Sequence, residues 1–329
     1  MIKTVLAMDP SVRATLSLDR LAEIADVDLG LVVTDFADPA AAAVLASAEV
    51  LFTCWGCPPL TAGALDRMPR LRAVVHAAGS VKHHVTDACW DRGVLVTSAA
   101  VANAVPVAEY TLASILFAGK RVTQIAAMYR SERARADWSA PFPGLGNHRM
   151  TVGVVGASLV GRRVLDLLRP FDLDVLLYDP YVDRHEAIEL GARPADLDDL
   201  AELADVVTIH APEVPETRHM FDRRRLALMK DGATLVNTAR GSLVDTAALT
   251  DELVSGRLHA VIDVTDPEFL PPASPLYDLP NVLLTPHIAG SMGNELARMV
   301  DLAVEEVSRL SLGVPAAHPV RPEALAHSA

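Results

Sequence analysis

Short runs of apolar residues alternate along the chain with segments in which apolar positions recur every three or four residues. The runs predict buried β-strands and the spaced segments predict helices packed on them, an alternation typical of a parallel sheet. The N-terminal elements predict a small α/β unit of about one hundred residues. Its predicted strands are residues 2–8, 31–34, 50–53, 73–76 and 94–97, with helices such as 40–48 between them.

A second series of strands and helices follows a break in this pattern. Residues 105–133 predict one long, mostly apolar helix, and the Pro/Gly-rich segment 138–146 ends it and predicts a linker. The next strands and helices run from Met150 to His287, and a last helix is predicted over 294–311. The tail 313–329 is expected to be irregular. The chain therefore predicts two α/β domains.

Composition narrows the classes of function. The 329 residues are 51% hydrophobic, enough to bury more than one core. Twenty-nine basic residues against 42 acidic ones give a formal charge of −13, and no block of Lys and Arg forms a basic patch, so no nucleic-acid partner is expected. Three cysteines do not make a disulfide framework, which favours a reducing cytoplasm.

The chain is not expected to enter or cross a membrane. The N-terminal strand reaches Asp9-Pro10 too early for the apolar core of a signal peptide, and no other stretch approaches the roughly 18 apolar residues that a membrane span requires. The segment after the last predicted helix is expected to be too short for an added regulatory domain.

Three polar residues stand where apolar runs end in the last third of the chain. Arg240 closes one run, and Glu268 and His287 each follow another. All three therefore lie at or just past the carboxyl ends of predicted strands, the edge where open α/β sheets bind ligands. A guanidinium suits a carboxylate, and a histidine suits the transfer of one proton. Taken singly, they could instead be a surface charge, a solvated loop acid and a capping or core histidine.

The second series opens with a strand that turns into a helix through Gly156-Ala-Ser158-Leu159-Val160-Gly161. This is a dinucleotide fingerprint with serine in place of its middle glycine, and its helix N-terminus can receive a pyrophosphate. Asp179 follows the next strand at close to the expected spacing, where an acid accepts ribose hydroxyls and repels a 2′-phosphate. Alone, the glycines would fit a plain tight turn and Asp179 a turn residue. Together they predict NAD rather than NADP.

Further segments complete a pattern that covers nearly the whole chain. They read Asp205-Val-Val-Thr-Ile-His-Ala-Pro-Glu-Val-Pro-Glu-Thr-Arg-His-Met, Leu235-Val-Asn-Thr-Ala-Arg-Gly-Ser-Leu-Val-Asp, Ala260-Val-Ile-Asp-Val-Thr-Asp-Pro-Glu and Leu284-Thr-Pro-His-Ile-Ala-Gly-Ser, together with Asn103-Ala-Val-Pro-Val-Ala-Glu. In this order and at this spacing, they closely resemble the D-specific 2-hydroxyacid dehydrogenase family.

The resemblance implies two Rossmann-like domains with parallel sheets, in which the NAD domain is inserted into a smaller, flavodoxin-like substrate domain. Residues 1–101 and 289–329 would form the substrate domain and residues 102–288 the NAD-binding domain, with the active site in the cleft. Because relatives commonly pair through their NAD domains, the resemblance also implies a homodimer.

The resemblance further implies a role for each site residue. Arg240 would hold the substrate's carboxylate and reacting oxygen, His287 would be the acid and base, and Glu268 would be the partner of His287. The rest of the substrate site would be formed by Ala78, Gly79, Asn103 and Trp55. NAD would be bound by Gly156, Ser158, Leu159, Val160, Gly161, Asp179, Pro212, Thr217, Thr238, Ala239, Asp263 and Gly290. No metal is expected.

This set matches the chemistry of a 2-keto acid. Hydride transfer from NADH to the keto carbon creates an alkoxide that must be protonated in the same step, a task for which histidine is suited. A neighbouring carboxylate favours the imidazolium and keeps that proton available. The predicted function is therefore an NAD-dependent oxidoreductase acting on a small 2-keto acid, or on the D-2-hydroxy acid in reverse.

Other functions stay open at this point. An NAD(H)-sensing protein, like the corepressor relatives of the family, can retain the same three residues. A formate dehydrogenase is disfavoured, because that branch carries an amide where Glu268 stands. The pair Cys54 and Cys57 could form a redox centre or half of a zinc site, but no second pair of cysteines accompanies it. The identity of the substrate, the direction of the reaction and the effect of Ser158 on cofactor affinity also stay open.

Overall fold

The structure is a computed structural model that describes residues 1–325. Contacts within the chain divide it into two compact units. Among the described residues, the first unit consists of Met1–Ala104 and residues 291–325, and the second is Val105–Gly290. Residues 326–329, the end of the tail predicted to be irregular and to belong to the substrate domain, lie outside the described residues.

Both units are built on parallel sheets. In the first unit the order is β2-β1-β4-β5-β6 with β3 also paired to β1, and in the second it is β13-β12-β11-β10-β7-β8-β9. The prediction of two parallel α/β sheets is confirmed. The strands are β1 (Ile2–Ala7), β2 (Ala25–Asp26), β3 (Val32–Val33), β4 (Val50–Thr53), β5 (Ala73–His76), β6 (Leu95–Ser98), β7 (Thr151–Val155), β8 (Asp174–Tyr178), β9 (Arg193–Pro194), β10 (Val206–Ile209), β11 (Thr234–Asn237), β12 (His259–Ile262) and β13 (Val282–Leu284).

Helices cover the faces of both sheets, and aspartates that accept a backbone N–H begin several of them, as at Asp183, Asp222 and Asp245. The helices are α1 (Pro10–Arg13), α2 (Asp19–Ile24), α3 (Ala42–Ser47), α4 (Ala62–Asp66), α5 (Asp87–Asp91), α6 (Ala100–Gly119), α7 (Val122–Glu132), α8 (Leu159–Leu168), α9 (Arg184–Glu189), α10 (Leu197–Leu203), α11 (Arg223–Leu228), α12 (Thr246–Val254), α13 (Leu296–Ser311) and α14 (Pro322–Leu325). Single 3₁₀ turns lie at Pro39–Ala41, Pro215–Thr217, Gly241–Leu243, Pro275–Tyr277 and Gly293–Glu295.

The central strands of each sheet are buried on both faces. Residues of β4 and β5 are buried at every position, which explains why these strands read as continuous apolar runs. In the first unit, α13 supplies Met299, Ala303 and Val307 to the core beneath the sheet. The helix after the second unit therefore completes the core of the first.

The prediction of a single helix over 105–133 is wrong, because two helices, α6 and α7, cover this segment. α6 starts earlier, at Ala100, and the chain breaks before α7 at Arg121, which has a left-handed φ of 49°. The guanidinium of Arg121 donates to Thr234 Oγ1 at 2.9 Å and to the carbonyl of Gly232. These long-range hydrogen bonds stabilise the break between the two helices. The spacing of apolar residues along the sequence could not predict them.

α6 also corrects the expectation about membrane spans. It has 20 residues with a mean hydropathy of 1.4, so one helix in residues 1–325 is long and apolar enough to cross a membrane by length and composition. Core helices of soluble proteins pass the same test. Ala108 and Ile115 are fully buried in the core of the second unit, and Thr111 Oγ1 lies 3.0 Å from Thr238 Oγ1. These contacts are those of a core helix.

The predicted irregular tail is partly ordered. Pro319 forms an antiparallel bridge with Thr97, and the Val320 N–H donates to the carbonyl of Val96 at 2.8 Å. Upstream, the fully buried carboxylate of Glu306 accepts from the N–H groups of Ala317 and His318. A buried carboxylate needs such donors, and it thereby anchors the tail.

Two buried histidines lie together in the first unit, His76 at the end of β5 and His84 in the loop that follows it. Thr53 Oγ1 is 2.9 Å from His76 Nδ1 and 3.4 Å from His84 Nε2, and the two rings lie 4.5 Å apart. Burial lowers the pKa of His76 well below its usual value and that of His84 to about 4. Both side chains are therefore neutral in the folded protein near neutral pH.

We predict that this pair makes the protein sensitive to acid. Because the folded pKa values are depressed, the unfolded chain takes up protons first, and the free energy of unfolding falls as pH drops below about 6.5 towards the folded values. His84 alone should contribute a loss on the order of 2 kcal/mol by pH 5. Urea unfolding at pH 7.5 and pH 5 measures the loss.

The pKa values of the buried His210 and the half-buried His259 in the second unit are also lowered, so both residues add to the loss of stability at low pH. A comparison of variants therefore isolates the part that comes from His84. His84→Gln should reduce the loss of stability between the two pH values, and His185→Gln, at an exposed histidine of the second unit, should leave it nearly unchanged. An equal loss in His84→Gln and the unsubstituted protein would contradict the prediction.

Candidate active site

The three polar residues singled out in the sequence follow three adjacent strands of the second sheet. Asn237 of β11 is the register partner of Ile262 of β12, which is the partner of Leu284 of β13. Arg240, Glu268 and His287 come after these positions in the chain. Because the strands are parallel, the three loops leave the sheet at its carboxyl edge.

His287 and Glu268 form a pair at this edge. The distance from His287 Nδ1 to Glu268 Oε1 is 3.1 Å, and the two side chains are 51% and 64% exposed. A carboxylate oxygen only accepts hydrogen bonds, so Nδ1 carries a proton and donates a hydrogen bond to Glu268. The other ring nitrogen, Nε2, is thereby left to exchange a proton with a ligand.

The turn that carries His287 is held by Asp263. His287 has a left-handed φ of 57°, and its N–H donates to the Asp263 carbonyl at 2.8 Å. The Asp263 side chain is buried and accepts from Thr285 Oγ1 at 2.7 Å, Ile288 N at 2.8 Å and Ala289 N at 2.9 Å. Residues on both sides of the histidine are thus bonded to a single carboxylate.

Arg240 sits in a turn of similar construction. Asn237 donates through Nδ2 to the Arg240 carbonyl at 2.9 Å and accepts from Ala239 N at 3.1 Å. Arg240 Nη1 donates to the Ala239 carbonyl at 2.7 Å. Gly241 is required next, since a Cβ there would lie 2.0 Å from the carbonyl carbon of Thr265.

Two carboxylates act on the guanidinium of Arg240. Burial lowers the pKa of Arg240, whereas the charges of Glu213 and Glu268 raise it. The guanidinium stays cationic, since arginine is not deprotonated in proteins. Ser242 Oγ donates to Glu213 Oε1 at 2.5 Å. Glu213 had no predicted role, although its place just past β10 was a usable signal.

The fingerprint turn has the close approaches that a dinucleotide site needs. Gly156 has φ +95°, and a Cβ there would lie 2.7 Å from Ala211 N. A Cβ on Gly161 would lie 2.0 Å from the Gly156 carbonyl oxygen. Ser158 caps α8 by accepting from Gly161 N at 3.3 Å, so its side chain turns back onto the helix. The serine is thus compatible with a pyrophosphate at this N-terminus.

Other residues predicted to bind NAD lie around the same edge. Asp179 follows β8 and accepts from Ala157 N at 2.7 Å and Tyr181 N at 2.8 Å, which ties it to the fingerprint turn. Thr217 Oγ1 donates to the Pro212 carbonyl at 2.6 Å and shapes the loop after β10. Leu159 and Val160 lie in the first turn of α8. Thr238 and Ala239 are buried just after β11, and Gly290 follows the turn that carries His287. The residues present fit the cofactor.

In the first unit the predicted substrate residues also gather at one sheet edge. Trp55 follows β4 and is 41% exposed, while Ala78 and Gly79 follow the neighbouring strand β5. A Cβ on Gly79 would lie 3.3 Å from Asn103 Nδ2, and Asn103 Oδ1 accepts from Ser291 N at 2.9 Å. The backbone at Gly79 is thus in close contact with the amide of Asn103.

The cysteine pair does not develop into a site. Burial raises the pKa of both Cys54 and Cys57 to about 12, so neither thiol is activated. Both are free cysteines, and residues 1–325 contain no group of three or more His, Cys, Asp or Glu side chains that could hold a metal ion.

Comparison with known proteins identifies the family. The model of the D-isomer specific 2-hydroxyacid dehydrogenase NAD-binding domain matches residues 112–289, which is just over half of the chain. The chain belongs to this family. The predicted resemblance is therefore confirmed, and so is the predicted cofactor, NAD, because the matched domain is the one that binds it.

Members of the family with different names resemble the chain. It is 37% identical over 251 residues to a D-3-phosphoglycerate dehydrogenase of Mycobacterium tuberculosis, covering 74% of this chain and 47% of the relative. It thus spans about half the length of the phosphoglycerate dehydrogenases it matches. A glyoxylate reductase of Thermofilum pendens is 33% identical over 253 residues, covering 75% of this chain and 74% of the relative.

Solved structures of the family share the fold. The Thermus thermophilus protein TT0316 is 33% identical with a TM-score of 0.76, covering 97% of this chain and all of that chain. The D-lactate dehydrogenase of Aquifex aeolicus, solved with NAD and lactic acid, is 28% identical with a TM-score of 0.73, covering 94% of this chain and 96% of that one.

We predict that Ser158 is tolerated in the cofactor site because it acts as a helix cap. Replacing serine with glycine at an N-cap costs only a few tenths of a kcal/mol, and replacing it with alanine costs about 1 kcal/mol. Ser158→Gly should leave the Kd for NADH within about tenfold and stability nearly unchanged, whereas Ser158→Ala should lower stability. NADH fluorescence titration and urea unfolding measure the two effects. A tightening of NADH binding by several orders of magnitude in Ser158→Gly would mean that the serine obstructs the cofactor.

Proposed function

We propose that the protein is an NAD-dependent oxidoreductase that reduces a small 2-keto acid, or oxidises the corresponding D-2-hydroxy acid. The observation that carries the proposal is the 3.1 Å contact between His287 Nδ1 and Glu268 Oε1, at the sheet edge that also carries Arg240. A cation for a carboxylate and a histidine oriented for proton transfer are what this reaction needs.

Each of the three residues has a separate task in this proposal. When bound, NADH supplies the hydride to the keto carbon. Arg240 binds the substrate's carboxylate and stabilises negative charge on its reacting oxygen. His287 enters as the imidazolium, gives its Nε2 proton to that oxygen, and takes it back in the oxidative direction. Glu268 accepts from Nδ1, which orients the ring and stabilises its charged form.

The named relatives support the substrate class but leave the substrate itself open. They include D-3-phosphoglycerate dehydrogenases and glyoxylate reductases, and a solved D-lactate dehydrogenase carries lactic acid. These substrates share a carboxylate beside the reacting carbon. We propose the same chemistry for this chain, with the second unit, Val105–Gly290, as its NAD-binding domain.

Several expectations that rest on the family resemblance stay predictions. They are substrate binding by Trp55, Ala78, Gly79 and Asn103, the domain limits 1–101 with 289–329 and 102–288, a homodimer, and a cytoplasmic location.

We predict turnover of NADH with at least one 2-keto acid. The panel comprises glyoxylate, hydroxypyruvate, its 3-phosphate, pyruvate and longer 2-keto acids, each assayed with NADH and with NADPH. His287→Gln should lower kcat by about 10²–10⁴-fold because the acid is lost, while the Kd for NADH changes little. NADH binding without turnover of any substrate would contradict the proposal. Capture of a partner protein only in the presence of NADH would then favour a sensing role.

We predict that Glu268→Gln slows the reduction of the keto acid while the Kd for NADH changes little. The amide of glutamine carries no charge, so the imidazolium loses the anionic acceptor at Nδ1, and the rate should fall by about tenfold to a thousandfold. Single-turnover NADH oxidation and NADH fluorescence titration measure the two effects. Glu216→Gln, an exposed charge in the loop after β10, is the matched control. An unchanged rate in Glu268→Gln would show that Glu268 is not the partner of His287.

A further inference from the structure

A chain of hydroxyl groups leads from α6 to the carboxylate that holds the His287 turn. Tyr110 lies on α6, and its hydroxyl oxygen is 2.9 Å from Thr285 Oγ1. Thr285 Oγ1 is in turn 2.7 Å from Asp263 Oδ1. All of these residues lie in the second unit. None of them except Asp263 received a role from the sequence, and Asp263 was assigned only to cofactor binding.

The carboxylate of Asp263 determines the direction of both hydrogen bonds between these hydroxyl groups. The carboxylate of Asp263 can only accept, so the single hydroxyl proton of Thr285 points to Asp263. Thr285 Oγ1 must then accept from Tyr110, which makes the phenol the donor. Burial raises the pKa of Tyr110, so the phenol keeps its proton at the pH of an ordinary assay. The direction of both bonds is therefore determined.

Asp263 connects these hydroxyl groups to the turn that carries His287. Its two carboxylate oxygens accept from Thr285 on one side of the histidine and from Ile288 and Ala289 on the other. His287 itself has a left-handed φ of 57°, a conformation that costs a non-glycine residue free energy and persists only where the surroundings impose it. We attribute this left-handed conformation to the hydrogen bonds that Asp263 accepts from the residues around His287.

We propose that Tyr110 and Thr285 are positioning residues for His287, which they hold in its working orientation through Asp263. The inference rests on the proposed function, in which His287 is the acid and base. Loss of the Tyr110 hydroxyl leaves Thr285 without its donor, and loss of the Thr285 hydroxyl also removes one of the donors to Asp263. The second change should therefore loosen the turn more than the first.

Four variants of the full chain test the proposal. Tyr110→Phe removes only the phenol oxygen, Thr285→Val removes the hydroxyl while keeping the shape of threonine, and Thr285→Ser restores a hydroxyl. Ser114→Ala is the matched control, since it removes a hydroxyl of α6 that donates to the Tyr110 carbonyl at 2.8 Å and is not part of the path from Tyr110 to Asp263. The double variant Tyr110→Phe with Thr285→Val tests whether the two residues act along one path.

The first measurement is the single-turnover rate of NADH oxidation with the best 2-keto acid from the panel. From the usual strength of single hydrogen bonds, we expect a loss of about threefold to tenfold in Tyr110→Phe and of about tenfold or more in Thr285→Val. The Kd for NADH should change less than the rate. Thr285→Ser and Ser114→Ala should stay near the unsubstituted protein, and the double variant should be no slower than Thr285→Val.

The second measurement needs neither substrate nor cofactor. The Cε1–H resonance of His287, assigned by its absence in His287→Gln, is followed by NMR in the protein without NAD. Tyr110→Phe and Thr285→Val should shift or broaden it, and Thr285→Ser and Ser114→Ala should not. A purely structural role would lower the melting temperature without moving this resonance or the single-turnover rate.

The outcomes separate this proposal from the proposed function. If the protein reduces no 2-keto acid, the proposed function fails, and the His287 resonance alone decides whether the turn is positioned by Tyr110 and Thr285. If it does turn over, an unchanged rate and an unchanged resonance in both Tyr110→Phe and Thr285→Val overturn the positioning role. If Thr285→Val does not fold, the rate and the His287 resonance of Tyr110→Phe alone decide between the two outcomes.

Discussion

The parallel register of β11, β12 and β13 is the constraint on which the candidate site depends. Asn237, Ile262 and Leu284 lie opposite one another in the sheet, so the loops after them start along one line. Antiparallel pairing would send alternate loops to opposite edges. The parallel arrangement instead brings a guanidinium, a carboxylate and an imidazole to one edge from three loops, each separated from the next by a strand.

Polar residues at or just past the strand ends then fix the backbone of these loops. Asn237 bonds to the turn that carries Arg240, Asp263 to the turn that carries His287, and Asp179 to the fingerprint turn. Such groups need partners within the protein when they are buried, and those partners are backbone groups of the loops. The functional side chains can therefore be accessible while the backbone beneath them is held in place.

The sequence predicted best where burial leaves a local signal. β4 and β5 have the predicted limits because every residue in them is buried, so the apolar run and the strand coincide. It failed where a distant partner decides the outcome. The break at Arg121 is held by Thr234 and Gly232, and the ordering of the tail depends on Glu306.

The sequence by itself determined the fold class, the family and the cofactor, because the fingerprint glycines, the strand-end residues and their spacing reflect local backbone requirements. It also named Arg240, Glu268 and His287. Only the tertiary structure decided how His287 is held and which way the protons point from Tyr110 through Thr285 to Asp263. Those residues are far apart in the chain, and hydrogen bonds between such residues form in space without leaving a periodic pattern in the sequence.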